Sequence, residues 1–186
     1  MIVCVEGNIG SGKSTVLEVL NGLGYSTKEE PVDEWGEMLQ MYYTDPTTWS
    51  LAFNLKVLNS FQKTPPGDTV IVERSPGACR HVFGQLAYND EHMTPVSWGV
   101  FKGYHDRLGW EPDMYIYIDT PVETCYERMH ARGRECEQGI SKEYLARIEF
   151  QYQNFLKFTE TAVHRVNGTE SAGHIAREII RIINAV

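Results

Sequence analysis

Met1-Ile-Val-Cys-Val-Glu6-Gly7-Asn8-Ile9-Gly10-Ser11-Gly12-Lys13-Ser14-Thr15 decides the fold. An apolar strand, Met1 to Val5, runs directly into a glycine-rich loop. Gly7, Gly12, Lys13 and Ser14 satisfy G-x-x-x-x-G-K-[ST], the phosphate-binding P-loop. The apolar positions Val16, Leu17 and Leu20 then begin a helix, which is the context the motif requires. Glycines let the backbone bend so that successive N–H groups of residues 7–15 point at one phosphate cluster at a positive helix end. Lys13 adds a mobile cation for the outer phosphates, and the Ser14 hydroxyl suits Mg²⁺. A glycine turn beside an unrelated lysine would explain the composition but not the spacing with its flanking strand and helix.

Working outward, strand-like and helical stretches alternate. Tyr25-Ser-Thr-Lys28 is a short second strand, and Pro31 holds Glu30 extended at its end. Asp33 to Tyr43 has helical periodicity. Asp45-Pro46 starts another helix, with aspartate as N-cap and proline at the first position, ending at Thr64-Pro-Pro-Gly-Asp68. Thr69 to Val72 is a third strand, followed by Glu73-Arg74-Ser75-Pro76 and a helix to about Tyr88. Thr94-Pro95 caps a helix to about Gly109, and Asp113 to Ile118 is a near-continuously apolar fourth strand. Thr120-Pro-Val-Glu123 reads as a capping box, which accounts for Asp119 as support for that cap. Ser141 to Thr161 is a long amphipathic helix, Ala162 to Val166 a fifth strand, and Ser171 to Val186 the closing helix. This alternation predicts an α/β, three-layer P-loop fold. It has a five-stranded parallel sheet with helices on both faces, in a single domain over residues 1–186. In such sheets ligands lie beyond the carboxyl ends of the strands. Gly7, Glu30, Glu73-Arg74, Asp119 and Asn167 should therefore converge.

The chain has 186 residues, 42% of them apolar, and a formal charge of −8. That charge argues against a nucleic-acid polymer as partner, since duplex binding needs a basic face. No apolar run approaches the ~20 residues of a membrane span. The chain opens on its first strand, so no targeting peptide is expected. Cys4, Cys79, Cys125 and Cys136 lack metal or disulfide spacing, which suits idle thiols in the cytoplasm. No N-K-x-D guanine-reading motif is present.

Three groups carry candidate chemistry. Glu73 ends an apolar strand and is followed by Arg74, a charged pair suited to a site and to Mg²⁺. Glu30 is either the base for an acceptor hydroxyl or half of a solvated Glu29–Glu30 pair, and the dipeptide alone does not decide. As a base it cannot ionise the alcohol beforehand. A carboxylate pKa of about 4.3 against ~16 for a hydroxyl leaves roughly 15 kcal/mol. A loose phosphoryl-transfer transition state does not require prior ionisation, so Glu30 would orient the hydroxyl and take its proton late. Arg128, Arg132 and Arg134 form an arginine-rich lid over about residues 128–140, or else cations at a helix C-terminus balanced by Glu127, Glu135 and Glu137.

Several segments, in order, resemble the deoxyribonucleoside kinases: the deoxycytidine, deoxyguanosine, mitochondrial-type thymidine and insect multisubstrate enzymes. They are Glu6 to Thr15, Glu30 to Trp35, Leu39 to Trp49, Glu73 to Ser75, and Arg132 to Leu145. The resemblance implies transfer of the γ-phosphate of ATP, or another nucleoside triphosphate, to a deoxynucleoside 5′-hydroxyl, with Mg²⁺ held by Ser14 and Glu73. It implies Glu30 as base and Arg74 beside the 5′-hydroxyl, with Lys13, Arg132 and Arg134 on the transferring phosphate. Tyr43 and Glu137 match residues that bind the 3′-hydroxyl, Trp35 a wall of the base pocket, and Phe83 the ring that stacks on the base. Arg128 and the Asn167-Gly168 turn match the adenine side. Members are usually homodimers. Where the family reads the base with glutamine, this chain has Asn54, one methylene shorter, with Gln62 as an outside candidate. Cys79 stands at a position that influences base choice, and the pattern leans toward pyrimidines. A monophosphate kinase of thymidylate-kinase type shares the P-loop, strand-end arginine and lid. A non-catalytic nucleotide-binding subunit would be expected to lack Lys13 or Glu30.

Overall fold

The structure, a computed structural model, describes residues 1–61 and 69–186. Gln62 and the expected helix stop at Thr64 to Asp68 lie outside the described residues. Five strands form one parallel sheet in the order β2-β3-β1-β4-β5. They are β1 (Ile2–Glu6), β2 (Ser26–Lys28), β3 (Val70–Glu73), β4 (Met114–Asp119) and β5 (Ala162–Asn167). The chain reverses direction across the sheet beside β1, so the loop after β1 opens at its centre, where ligands bind in such folds.

The alternation of side chains along each strand builds two helical layers. Val3 and Val5 of β1, with Ile71, Met114, Ile116 and Ile118, face α1 (Lys13–Gly22) and α9 (Ala172–Asn184). Cys4, Val70, Val72, Tyr115 and Tyr117 face the other way, onto α8 (Lys142–Phe158) and the helical segment after β3. Both faces of the central strands are thus apolar, as burial between two layers demands. A third cluster joins α2 (Gly36–Thr44), α3 (Pro46–Ser60) and α6 (Pro95–Leu108) through Trp35, Tyr42, Phe53, Leu58, Trp98 and Phe101. It forms one wall over the carboxyl edge of the sheet.

The expected caps form at Asp45 and Thr94, and Ser141 adds a third. Asp45 accepts from the Thr48 N–H at 3.1 Å, Thr94 from Ser97 at 3.1 Å, and Ser141 from Tyr144 at 3.2 Å. The capping box at Thr120 does not form. Thr120 Oγ1 donates instead to the Ser11 carbonyl at 3.2 Å, and α7 (Val122–Arg132) starts from Pro121 without a side-chain cap. Glu123 pairs with Lys142 rather than reaching back. Asp119 supports no cap; it lies 3.4 Å from Arg165, half-exposed. A tertiary partner, the P-loop backbone, has outcompeted the local bond.

The expected helix over Asp33 to Tyr43 is divided into a 3₁₀ turn, Val32–Glu34, and α2. The helix after Arg74 contains a π-helical stretch, Cys79–Gly84, between α4 (Pro76–Ala78) and α5 (Gln85–Asn89). Such wide turns concentrate at functional sites. α7 ends in a left-handed Gly133 (φ 71°), whose N–H reaches the Met129 carbonyl at 3.3 Å.

Under the Pro76 turn lies buried His105. Its Nε2 donates to the Pro76 carbonyl at 3.1 Å and its Nδ1 accepts from Arg80 at 3.1 Å, which only a neutral ring can do. Burial and the Arg80 charge hold its pKa below the ordinary 6.5, against the Pro76 carbonyl, Asp106 and Glu111. The unfolded chain therefore binds this proton more readily, and stability is lost as pH falls below about 6.5. Thermal melts between pH 8 and pH 5 are expected to show that loss, and to show a shallower one in His105→Asn.

Candidate active site

The carboxyl ends of β1, β2 and β3 open into a cleft of about 700 Å³. Its floor is the P-loop. Gly10 (φ 78°) and Gly12 (φ 99°) hold conformations that side chains rarely adopt, and a Cβ on Gly10 would lie 2.2 Å from the Cys125 carbonyl oxygen. Asn8 staples the loop to α8, its Nδ2 donating to the Leu145 carbonyl at 2.9 Å, while its Oδ1 accepts from Ile9 N–H at 2.9 Å. Lys13 Nζ folds over the loop, donating to the Gly7 and Asn8 carbonyls at 3.2 and 2.8 Å. Burial and the nearby Arg74 bring its pKa down to about 8, against Glu73, Glu30 and Glu6. Ile9, Gly10, Gly12, Lys13, Ser14 and Thr15 line the cleft; Ser11 is buried beneath it.

Glu73 is brought to the loop by the register of β3 on β1, opposite Val5. Ser14 Oγ donates to its carboxylate at 3.1 and 3.3 Å, and Lys13 Nζ lies 3.9 Å away. A hydroxyl and a carboxylate side by side at a phosphate loop are an oxygen donor set that fits Mg²⁺, which binds few protein ligands and keeps waters and phosphates.

Arg74 is the centre of the site. Its backbone is left-handed (φ 63°), unusual for a residue with a side chain, and its N–H is tied to the Val5 carbonyl at 3.0 Å. Its Nε donates to Glu30 Oε2 at 3.1 Å, and its Nη1 to the Gly7 carbonyl at 3.2 Å and the Tyr152 hydroxyl at 2.5 Å. The Phe83 ring lies 4.7 Å from the guanidinium carbon. Burial disfavours the Arg74 charge, but Tyr152, Glu30, Glu6 and Glu73 outweigh that and keep it protonated. Burial pushes the Glu30 carboxyl above its ordinary range, with Arg74 pulling down and Glu73 pushing up. Glu30 is therefore not half of a solvated pair but a largely shielded carboxylate, 13% exposed, bound to an arginine.

Deeper in the cleft stand Trp35, Tyr43, Asn54, Cys79 and Phe83. Asn54 Nδ2 donates to the Ser50 carbonyl of its own helix at 2.8 Å, and Cys79 Sγ contacts the Asn54 carbonyl at 3.7 Å. Burial pushes the Cys79 thiol and the Tyr43 phenol up, so both stay neutral. At the opposite rim Arg132 Nη2 donates to both oxygens of Glu137 at 2.7 Å, and Arg134 lies 3.6 Å from it. Arg128 donates to the Gly168 carbonyl at 2.9 Å and the Ser11 carbonyl at 3.4 Å, clamping the P-loop to the turn after β5. Asn167 does not line the cleft. Its Oδ1 accepts from the Thr169 N–H and hydroxyl, at 3.0 and 2.8 Å, and shapes that turn.

Two residues escape sequence reasoning. Glu6 is fully buried, accepting from Ser75 Oγ at 2.6 Å and the Tyr152 hydroxyl at 3.0 Å, and burial raises its pKa to about 7 against Ser75, Arg74, Tyr152 and Lys13. Tyr152 lies on the buried stripe of α8 with Leu145, Ile148 and Leu156. A carboxylate ending an apolar strand, and a hydroxyl on an apolar helix face, were the available signals.

Residues 3–186 match the family profile described as deoxynucleoside kinase. The chain belongs to the deoxynucleoside kinase family. It is 32% identical over 199 residues to the thymidine kinase of Ictalurid herpesvirus 1 (strain Auburn), covering 98% of this chain and 86% of that one. To human deoxycytidine kinase (Homo sapiens) it is 30% identical over 193 residues, covering 83% of this chain and 74% of the relative. The structure superposes on the deoxyadenosine kinase from M. mycoides with bound dCTP at a TM-score of 0.87, covering all of both chains at 22% identity. The fold is thus the P-loop kinase fold, and deoxynucleoside kinases are ATP-dependent phosphotransferases acting on deoxynucleosides.

Gly10→Ala of this kinase is expected to lose more than about 2 kcal/mol of stability, since strain and a backbone clash add. At Gly133 (φ 71°) a Cβ would meet nothing within 4 Å, so Gly133→Ala should lose only about 1 kcal/mol. Denaturant melts of the two variants compare them directly.

Proposed function

We propose that this deoxynucleoside kinase transfers the γ-phosphate of ATP to the 5′-hydroxyl of a deoxynucleoside, with Glu30 as the base and pyrimidine deoxynucleosides, thymidine or deoxycytidine, preferred. The observation that carries the reading is the part-buried Glu30–Arg74 pair at 3.1 Å, standing in the same cleft as Lys13, Ser14 and Glu73. Residues 7–15 and Lys13 hold the triphosphate. Ser14 and Glu73 would hold Mg²⁺, which neutralises charge on the phosphates when bound.

Glu30, lifted above its ordinary range by burial, is better matched to a hydroxyl proton than an exposed carboxylate. It orients the 5′-oxygen toward the phosphate and accepts the proton as the new bond forms. Arg74 steadies Glu30 and presents positive charge where the transferring group develops its own. Arg132 and Arg134, on a lid of about residues 128–140 over the single domain, add cations from the opposite rim and exclude water. Arg128 and the Asn167–Gly168 turn bound the adenine side.

Trp35 and Phe83 would bracket the base, with Tyr43 and Glu137 at the sugar. With Asn54 Nδ2 turned to Ser50, its Oδ1 is left to meet an N–H on the base edge. A short asparagine stem and Cys79 beside it leave that wall less filled than a glutamine would. The relatives named thymidine kinase and deoxycytidine kinase are consistent with a pyrimidine.

Val96, Val100, Tyr104 and Leu108 form an exposed apolar stripe at four-residue spacing along α6, which supports a homodimer, measurable by sedimentation. The four cysteines are free thiols, which suits the cytoplasm, and among the described residues no helix is long and apolar enough to cross a membrane. Fractionation would place the compartment.

A phosphorylation panel of the four deoxynucleosides and their monophosphates, with ATP and Mg²⁺, tests the reading. Turnover confined to the monophosphates would replace it with the thymidylate-kinase type. Glu30→Gln is expected to bind ATP and nucleoside normally while kcat falls by ~10²-fold or more; near-wild-type turnover would remove Glu30 from the mechanism. Asn54→Gln should reorder the bases in the same panel, and an unchanged ranking would mean that Asn54 does not read the base.

A further inference from the structure

Glu6 is a carboxylate with no evident purpose. It ends a strand that is otherwise apolar, is 0% exposed, and does not line the cleft, so neither donor nor acceptor can touch it. Burying a carboxylate is costly unless hydrogen bonds compensate, and both of its oxygens are engaged, by Ser75 Oγ at 2.6 Å and the Tyr152 hydroxyl at 3.0 Å. Tyr152 is also absent from the cleft lining, yet its oxygen accepts from Arg74 Nη1 at 2.5 Å. The sequence of bonds is therefore Arg74 to Tyr152 to Glu6, each N–H or O–H donating toward the buried carboxylate.

Arginine and carboxylate prefer two parallel bonds when nothing restrains them. Arg74 and Glu30 make one, from Nε to Oε2. Nη1 is committed to Gly7 and Tyr152, and Phe83 covers the guanidinium face. The group is thus fixed at three points around its plane.

We propose that Glu6 and Tyr152 are positioning residues for phosphoryl transfer: their relay pins the Arg74 guanidinium, so that Glu30 is held by one bond and keeps an oxygen for the acceptor hydroxyl. Cutting the relay leaves Nη1 only the Gly7 carbonyl, and the guanidinium can then turn to bring a second N–H onto Glu30 beside the Nε bond. The base is then occupied by its own partner. Neither residue binds substrate, so the loss falls on the chemical step.

The inference rests on Arg74 and Glu30 acting in the transfer as proposed above. Steady-state kinetics of Tyr152→Phe, Glu6→Gln and the double variant, assayed well below each melting temperature, test it. Tyr152→Phe is expected to lower kcat by about tenfold, with both KM values within about twofold. Glu6→Gln should lower kcat in the same direction. The double variant should be no slower than Tyr152→Phe alone, within about twofold, because a relay is cut only once. Multiplying losses, a loss confined to KM, or an unchanged kcat in Tyr152→Phe would each overturn the relay. Arg74→Lys separates the two readings. A slow Arg74→Lys beside a fast Tyr152→Phe overturns the relay alone, whereas a near-wild-type Arg74→Lys overturns the role of Arg74 itself.

Discussion

A guanidinium buried to 7% exposure must be surrounded by acceptors, and the carboxyl edge of this sheet is arranged around that requirement at Arg74. The left-handed turn at the end of β3 places it, the Gly7 carbonyl of the P-loop and Glu30 from the end of β2 receive it, and α8 contributes Tyr152. Four segments distant in sequence are thereby fixed relative to one another by a single side chain. The same charge makes the burial of Glu73 and Glu6 and the partial burial of Glu30 tolerable, and those acids in turn support Lys13. Removing one member would leave the others with uncompensated charge, so the cluster is expected to respond as a unit and not as a set of separate contacts.

What the sequence made legible was local. The P-loop, the prolines that stop or start elements, and the acids and arginine just past strand ends all announce themselves within a few residues. The parallel-sheet rule then brings them to one edge without further information. Glu30 was ambiguous beside Glu29 because nothing in a dipeptide says which carboxylate is buried. The Arg74 contact resolves it. Glu6 and Tyr152, 146 positions apart, could not be linked from the chain, because their meaning lies entirely in a bond between them.

The local rules failed where tertiary partners offered something better. The residues of a capping box are present at Thr120, but its hydroxyl serves the Ser11 carbonyl, a loop far away in sequence. The regular helix expected after Arg74 widens into a π-helical stretch at Cys79–Gly84, and no periodicity signals that change. At Asn167, at the expected strand end, the partner is local: its side-chain oxygen accepts from Thr169 and shapes the turn after β5.

Glu137 has a consequence for how variants of this enzyme can be interpreted. Its carboxylate accepts from Arg132 on both oxygens and lies beside Arg134, so in the proposed function it would be at once the neighbour of the sugar and the counter-ion of the lid. No substitution there is a clean probe of nucleoside recognition. Removing the acid also releases the two cations Arg132 and Arg134. In that reading acceptor affinity and donor affinity would share the residue, and a change in one measured at position 137 would carry a change in the other with it.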